Sequence, residues 1–191
     1  MSLYSGAALN FAYVLFRAAV GLRLRSIWLL SLPAYHLVLG LLRVYLIVGV
    51  RRGADERRCY RKTAWLLLAL NLIVGGLIVQ IVQDHASFAY SGPLIYLSAA
   101  YAFYALGAAA ANIVRFRRLG SPILSAAKAL NWVAAMISML GLQTALLARF
   151  SVDNPAFAQL MNILTGSAVY ALVILTAVHM LRRSRTERFS R

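Results

Sequence analysis

PLIYLSAAYAFYALGAAAANIVRFRR, residues 93–118, is the stretch whose reading decides the fold. As a helix its apolar part, Pro93 to Val114, would be about 33 Å long at 1.5 Å per residue, enough to cross a bilayer. It carries no charge until Arg115, Arg117 and Arg118 end it. Within it lie Ala99, Ala100, Ala102, Ala105, Gly107 and Ala108 to Ala111, side chains small enough for neighbouring helix backbones to approach closely. In lipid, hydrophobicity gives helices no drive to associate, and such close packing becomes a main source of attraction. The stretch predicts a membrane helix. Its small residues predict that it is the hub of a multi-helix bundle, with Gly107 at a close contact.

The same alternation of apolar run and arginine cluster continues in both directions. The spans read as 3–22, 26–50, 64–83, 93–114, 122–148 and 157–181. Trp28 and Trp65 lie near span ends, where interfacial aromatics anchor helices. Pro122 falls at a first-turn position, where its missing N–H costs nothing. Residues 3–22 contain Asn10 and Arg17, so this segment reads either as a span or as an amphipathic helix in the interface. The fold class this predicts is all-α: one polytopic transmembrane bundle of six helices, or five plus an interfacial N-terminal helix.

Composition agrees. The chain has 191 residues, 62% of them hydrophobic, with a net charge of +15 and a mean hydropathy of +0.73. A pI near 11 would suit a nucleic-acid binder. Here the arginines sit between apolar runs, which makes them topology signals facing anionic lipid and leaves no reason to expect nucleic acid as a partner. Loop 51–62, turn 115–118 and the tail from Arg182 are basic, whereas turns 84–92 and 149–156 are not. The positive-inside rule then places the basic segments and both termini in the cytoplasm, in the cell membrane. Arg23 and Arg25 resist this assignment, because it turns them outward. Met1 to Phe16 has no basic region ahead of its apolar run, and so does not read as a signal peptide. Spans two, four and six each open near a proline followed by an aromatic residue. That pattern is expected of any helix entering at a turn and ending on positive charge.

Candidate chemistry is sparse. The five acids, Asp55, Glu56, Asp84, Asp153 and Glu187, all map to loops or the tail, so no span offers a carboxylate for proton relay or acid–base work. Cys59 is the single cysteine, and His36, His85 and His179 have no metal-ligand spacing. No catalytic set, metal site or cofactor motif is expected. The spans do hold positive charge and amides. Arg43 shares a helix face with His36 and Gly40, four and three residues apart. Tyr101 and Tyr104 share a face, and Gln143, Asn162 and Thr165 are polar groups at depth. His36, Arg43, Tyr101, Tyr104, Gln143, Asn162 and Thr165 therefore form the candidate polar cavity or anion site, with helix-to-helix polar contacts as the simpler reading. Arg43 is expected to turn inward, and Lys128 to reach along its helix toward the interface.

Tyr101-Ala102-Phe103-Tyr104, Ser121-Pro122-Ile123-Leu124, Leu142-Gln143 and Asn162-Ile163-Leu164-Thr165-Gly166 carry a further reading. Through them the chain resembles, over most of its length, a group of small multi-pass membrane proteins of Gram-positive gut bacteria with no assigned function. In that group a basic residue often follows the paired aromatics and another follows the glutamine. This chain has Ala105 and Thr144 at those places. The resemblance implies the class and no activity.

Two functions remain. One is a non-catalytic membrane component, a scaffold, sensor or subunit, acting through helix packing against a partner membrane protein or a second copy of itself. The other is a small transporter, channel or lipid-handling protein for an anionic or neutral solute.

Overall fold

The computed structural model describes residues 11–16, 18–19, 22, 27–83, 92–115, 121–151 and 153–186. Asn10, Arg17, Arg23, Arg25, turn 84–91, the arginines at 117 and 118, and the tail from 187 lie outside the described residues. Six helices and no strand are found among the described residues, an all-α bundle. Helix α1 is described at residues 11–16, 18–19 and 22. The others are α2 (Ile27–Arg51), α3 (Glu56–Gln83), α4 (Gly92–Arg115), α5 (Pro122–Phe150) and α6 (Pro155–Thr186).

Local chemistry sets several of these boundaries. Helix α2 ends on Gly53, whose φ of +62° suits a residue without a Cβ. Gly53 N–H donates to Val50 O at 3.2 Å and Ala54 N–H to Gly49 O at 3.0 Å. These two bonds form a Schellman cap, which satisfies carbonyls that the helix end would otherwise orphan. Helix α3 starts at once, because Asp55 Oδ1 accepts from the N–H groups of Arg57 (3.0 Å) and Arg58 (3.4 Å). At α6, Asn154 Oδ1 accepts from Phe157 N–H at 3.1 Å, one residue ahead of a helix that opens on Pro155.

The central helix is α5. It packs against α2, α3, α4 and α6, whereas α4 makes its main contacts with α5 alone. This corrects the expectation that 93–114 is the hub. The alanines of α4 divide between two faces: Ala102, Ala105 and Ala109 turn inward at helical spacing, while Gly107, Ala110 and Ala111 are exposed. Nothing lies within 4 Å of where a Cβ on Gly107 would stand. On α5, small residues spread over about half of the helix circumference, including Ala126, Ala127, Ala134, Ala135, Gly141 and Ala145, all buried. Ala135 packs against Ala105 and Ala109 of α4. A Cβ on Gly141 would stand 2.6 Å from Leu32 Cδ2 of α2, and one on Gly166 of α6 would stand 3.0 Å from Ile78 Cγ2 of α3. The small side chains set how closely these helices approach.

The core runs along one stripe of each outer helix. Leu32, Tyr35, Leu39, Leu42 and Leu46 line α2, and Tyr60, Ala64, Leu67 and Val74 line α3. Val169, Val173, Ala177 and Met180 line α6. The outward faces are apolar too: Leu66, Leu72 and Ile73 on α3, Tyr96 and Phe103 on α4, and Leu160, Leu164 and Leu175 on α6 are all exposed. In water such a surface would be an aggregation liability; against lipid tails it is the natural exterior.

Three helices among the described residues are long and apolar enough to cross a membrane: Leu30–Arg51, Pro122–Phe150 and Pro155–Arg185. The segment Ile95–Ala111 of α4 is apolar but shorter. On α1, Tyr13 and Val14 are buried, while Leu15, Phe16 and Leu22 are exposed.

Packing at α5 predicts an asymmetry between two substitutions. Ala135→Leu, at a fully buried contact, should destabilise the detergent-solubilised protein by about 1–3 kcal/mol through overpacking. Gly107→Leu, facing open space, should melt like the parent. Equal melting midpoints for the two variants would contradict the central role of α5.

Candidate functional site

His36 is fully buried on α2, and Arg43, two turns further along the same face, is only 6% exposed. Helix α5 brings Ser138 to His36, with Oγ 3.3 Å from Nε2. Ser138 Oγ also donates to Ala134 O at 2.7 Å. Which of the two groups donates in the His36–Ser138 contact follows the tautomer of the ring.

Aromatic rings enclose the imidazole. Tyr13 of α1 and Tyr101 of α4 stack with centroids 3.6 Å apart and planes 3° from parallel. Both stand edge-on to His36, each at 5.6 Å, and Tyr35 adds a further perpendicular ring at 6.4 Å. Tyr104 follows Tyr101 at a centroid distance of 6.4 Å. The Arg43 guanidinium interacts electrostatically with both Tyr101 and Tyr104. Four helices thus meet at one buried cluster that contains a cation, an imidazole and tyrosine hydroxyls.

Three of the seven sequence candidates lie in a different place. Gln143 is five residues beyond Ser138 on α5, about 140° around the helix axis. Its Nε2 donates to Thr165 Oγ1 at 2.7 Å and to Met161 O at 3.3 Å, both on α6. Thr144 Oγ1 donates to Leu140 O at 2.9 Å and lies 3.4 Å from Asn162 Oδ1. Gln143, Asn162 and Thr165 therefore form a hydrogen-bonded seam between α5 and α6, as polar contacts between membrane helices do. His36, Arg43, Tyr101 and Tyr104 form the cluster between α1, α2, α4 and α5. The places that resembled charged positions are tightly occupied here: Ala105 packs on Ala135, and Thr144 is buried in the seam.

Sequence reasoning left Ser138 out of the site, and it missed Tyr13 entirely. A tyrosine in an otherwise apolar α1 gives no signal of its own partner. Lys128 lies by Arg183, at the end of the bundle where α6 finishes. That end gathers most of the charge. Arg57 Nε donates to Ser184 O at 3.0 Å, and Ser121 Oγ donates to Glu56 Oε2 at 2.9 Å. The starts of α3 and α5 and the end of α6 are thereby joined beside Arg51, Arg52, Arg58, Arg61 and Lys62. Cys59 is buried there, 3% exposed. No group of His, Cys, Asp and Glu that could hold a metal ion occurs among the described residues.

No family model, curated protein or solved structure matches this chain.

The seam predicts a modest effect. Gln143→Leu should lower stability by about 0.6–2 kcal/mol, the range for a hydrogen bond between membrane helices. Thermal unfolding should show the loss, and Thr165→Val added to Gln143→Leu should add little, because the two side chains share one bond.

Proposed function

We propose that the chain is a multi-pass integral membrane protein of the cell membrane, a non-catalytic component (scaffold, sensor or subunit) that acts through helix packing. The observation that carries this reading is the division of its surface. Helices α3, α4 and α6 turn large apolar side chains outward, while of the basic side chains described only Arg43 and Arg149 lie away from the end that holds Arg57 and Ser184. The basic end would face the cytoplasm and its anionic lipids, with both termini on that side. Contact of Tyr13 in α1 with the middles of α2 and α4 supports α1 as a spanning helix. A partner membrane protein or a second copy of the chain would meet the apolar outer faces.

A second reading, a small transporter, channel or lipid-handling protein for an anionic or neutral solute, is favoured by one observation. Arg43 lies within the bundle beside Tyr101 and Tyr104 instead of extending to the basic end.

Orientation is testable with engineered thiols. Cys59 is a poor reporter because its side chain is buried. In a Cys59→Ala background, Arg61→Cys should resist a membrane-impermeant thiol reagent in intact cells and react after permeabilisation. Asp153→Cys, at the opposite end, should react from outside. Labelling of only the Arg61→Cys variant in intact cells would reverse the orientation. Release of the chain from membranes by alkaline washing would end the integral-membrane reading.

A further inference from the structure

We infer that the outward face of α3 is a docking site for an anionic phospholipid, whose phosphate meets Arg61 and Lys62 and whose acyl chains lie along Trp65, Leu66, Leu72 and Ile73. Positions 61, 62, 65, 66, 69, 72 and 73 gather on one side of a helix, because they recur at three- and four-residue spacing. All seven are exposed, whereas Thr63, Leu67 and Leu70 in the intervals are buried. The face is ordered along the helix axis. Two cations come first, a tryptophan follows one turn deeper, and only aliphatic side chains lie beyond it. From Lys62 to Ile73 the helix rises about 17 Å at 1.5 Å per residue. A phospholipid presents the same order, from phosphate through the polar interface, where tryptophan is favoured, to hydrocarbon.

Charge selects the headgroup. The two acids at the start of α3 are engaged within the protein. Asp55 accepts from the N–H groups of Arg57 and Arg58 and pairs with Arg58 Nε at 3.3 Å, and Glu56 accepts from Ser121 of α5. No acid among the described residues pairs with Arg61 or Lys62. A headgroup with a net negative charge therefore complements this end of the face. A choline or ethanolamine headgroup would bring a further cation beside two cations, with no carboxylate to receive it. A phosphate free in water would use the cations and leave the apolar face without a role, so the face assigns the phosphate to a lipid.

The test uses the full chain in phosphatidylcholine vesicles, read by tryptophan fluorescence. The chain has three tryptophans, and in a Trp28→Phe/Trp132→Phe background Trp65 reports on its own face. Bromine on an acyl chain quenches a tryptophan that it touches. Brominated phosphatidylglycerol and brominated phosphatidylcholine are compared, each added as the same minor fraction of the lipid. Phosphatidylglycerol should quench Trp65 more strongly. Arg61→Gln or Lys62→Gln should each lower that preference about fivefold, the effect of one basic residue near an anionic headgroup, and the double variant should remove it. Lys128→Gln takes a charge from the same basic end on another helix and should leave the preference unchanged.

Equal quenching by the two lipids would overturn the site. So would an equal loss of preference in Lys128→Gln, which marks a diffuse surface charge, or displacement of brominated phosphatidylglycerol by inorganic phosphate, which places the ligand in water. Should the double-phenylalanine background fail to fold, the difference in quenching between the parent chain and Trp65→Phe isolates the same tryptophan and decides on the same outcomes. The inference rests on the membrane assignment above. A chain released by alkaline washing loses both. A chain retained in membranes whose Trp65 does not distinguish the two lipids loses this site and keeps its membrane assignment.

Discussion

Close packing around α5 is the constraint on which the rest of this structure depends. A helix that touches four others needs small side chains on several faces at once, and α5 has them in Ala126, Ala127, Ala134, Ala135, Gly141 and Ala145. Where these residues meet α4, the partner surface is Ala105 and Ala109; where they meet α2, it is Leu32. Each outer helix then needs only one inward stripe. The remaining faces are free to be apolar and outward, which lipid tolerates and water does not.

The same arrangement explains how polar groups come to lie in the interior. Once α2 is held against α5, residues 36, 40 and 43 face inward along with Leu39 and Leu42. His36 meets Ser138, and Arg43 meets the tyrosines of α4. Gln143 and Thr165 meet across the other side of α5. The two polar groupings differ in kind. The α5–α6 seam is made of amides, hydroxyls and carbonyls that satisfy one another, so it holds helices together and asks for nothing more. The Arg43 grouping instead gathers a guanidinium, an imidazole and tyrosine rings from four helices.

Much of this was legible in the sequence, and the failures have physical causes. The openings of α5 and α6 were readable from their prolines, but the start of α3 was not: residues 56–62, read as loop, are helical from Glu56. The inward turn of Arg43 followed from its spacing to His36 and Gly40. The wrong choice of hub came from counting small residues without their direction. The alanine run of α4 is denser than any in α5, but its last members fall on an outward face. On α5 the small residues are interleaved with Lys128, Asn131 and Trp132, which hid them. Grouping Gln143 with Arg43 failed for a related reason: depth along the chain says nothing about which side of a helix a residue occupies. Tyr13 could not be found at all, because its importance lies in the ring it stacks on, 88 positions later in the chain.

The central position of α5 also has a temporal side. A chain emerges from the ribosome with its N-terminus first. Helices α2 and α4 are therefore made before α5, against which each packs, and α3 before α6, its main partner. Until residue 150 is synthesised, the inner stripe of α2, with His36 and Arg43, has no α5 to cover it. The earlier helices then lack their main partners, and most tertiary contacts form late, once α5 and α6 are made. A chain ending after α4 would leave His36 and Arg43 on α2 without the α5 surface that covers them in the full structure.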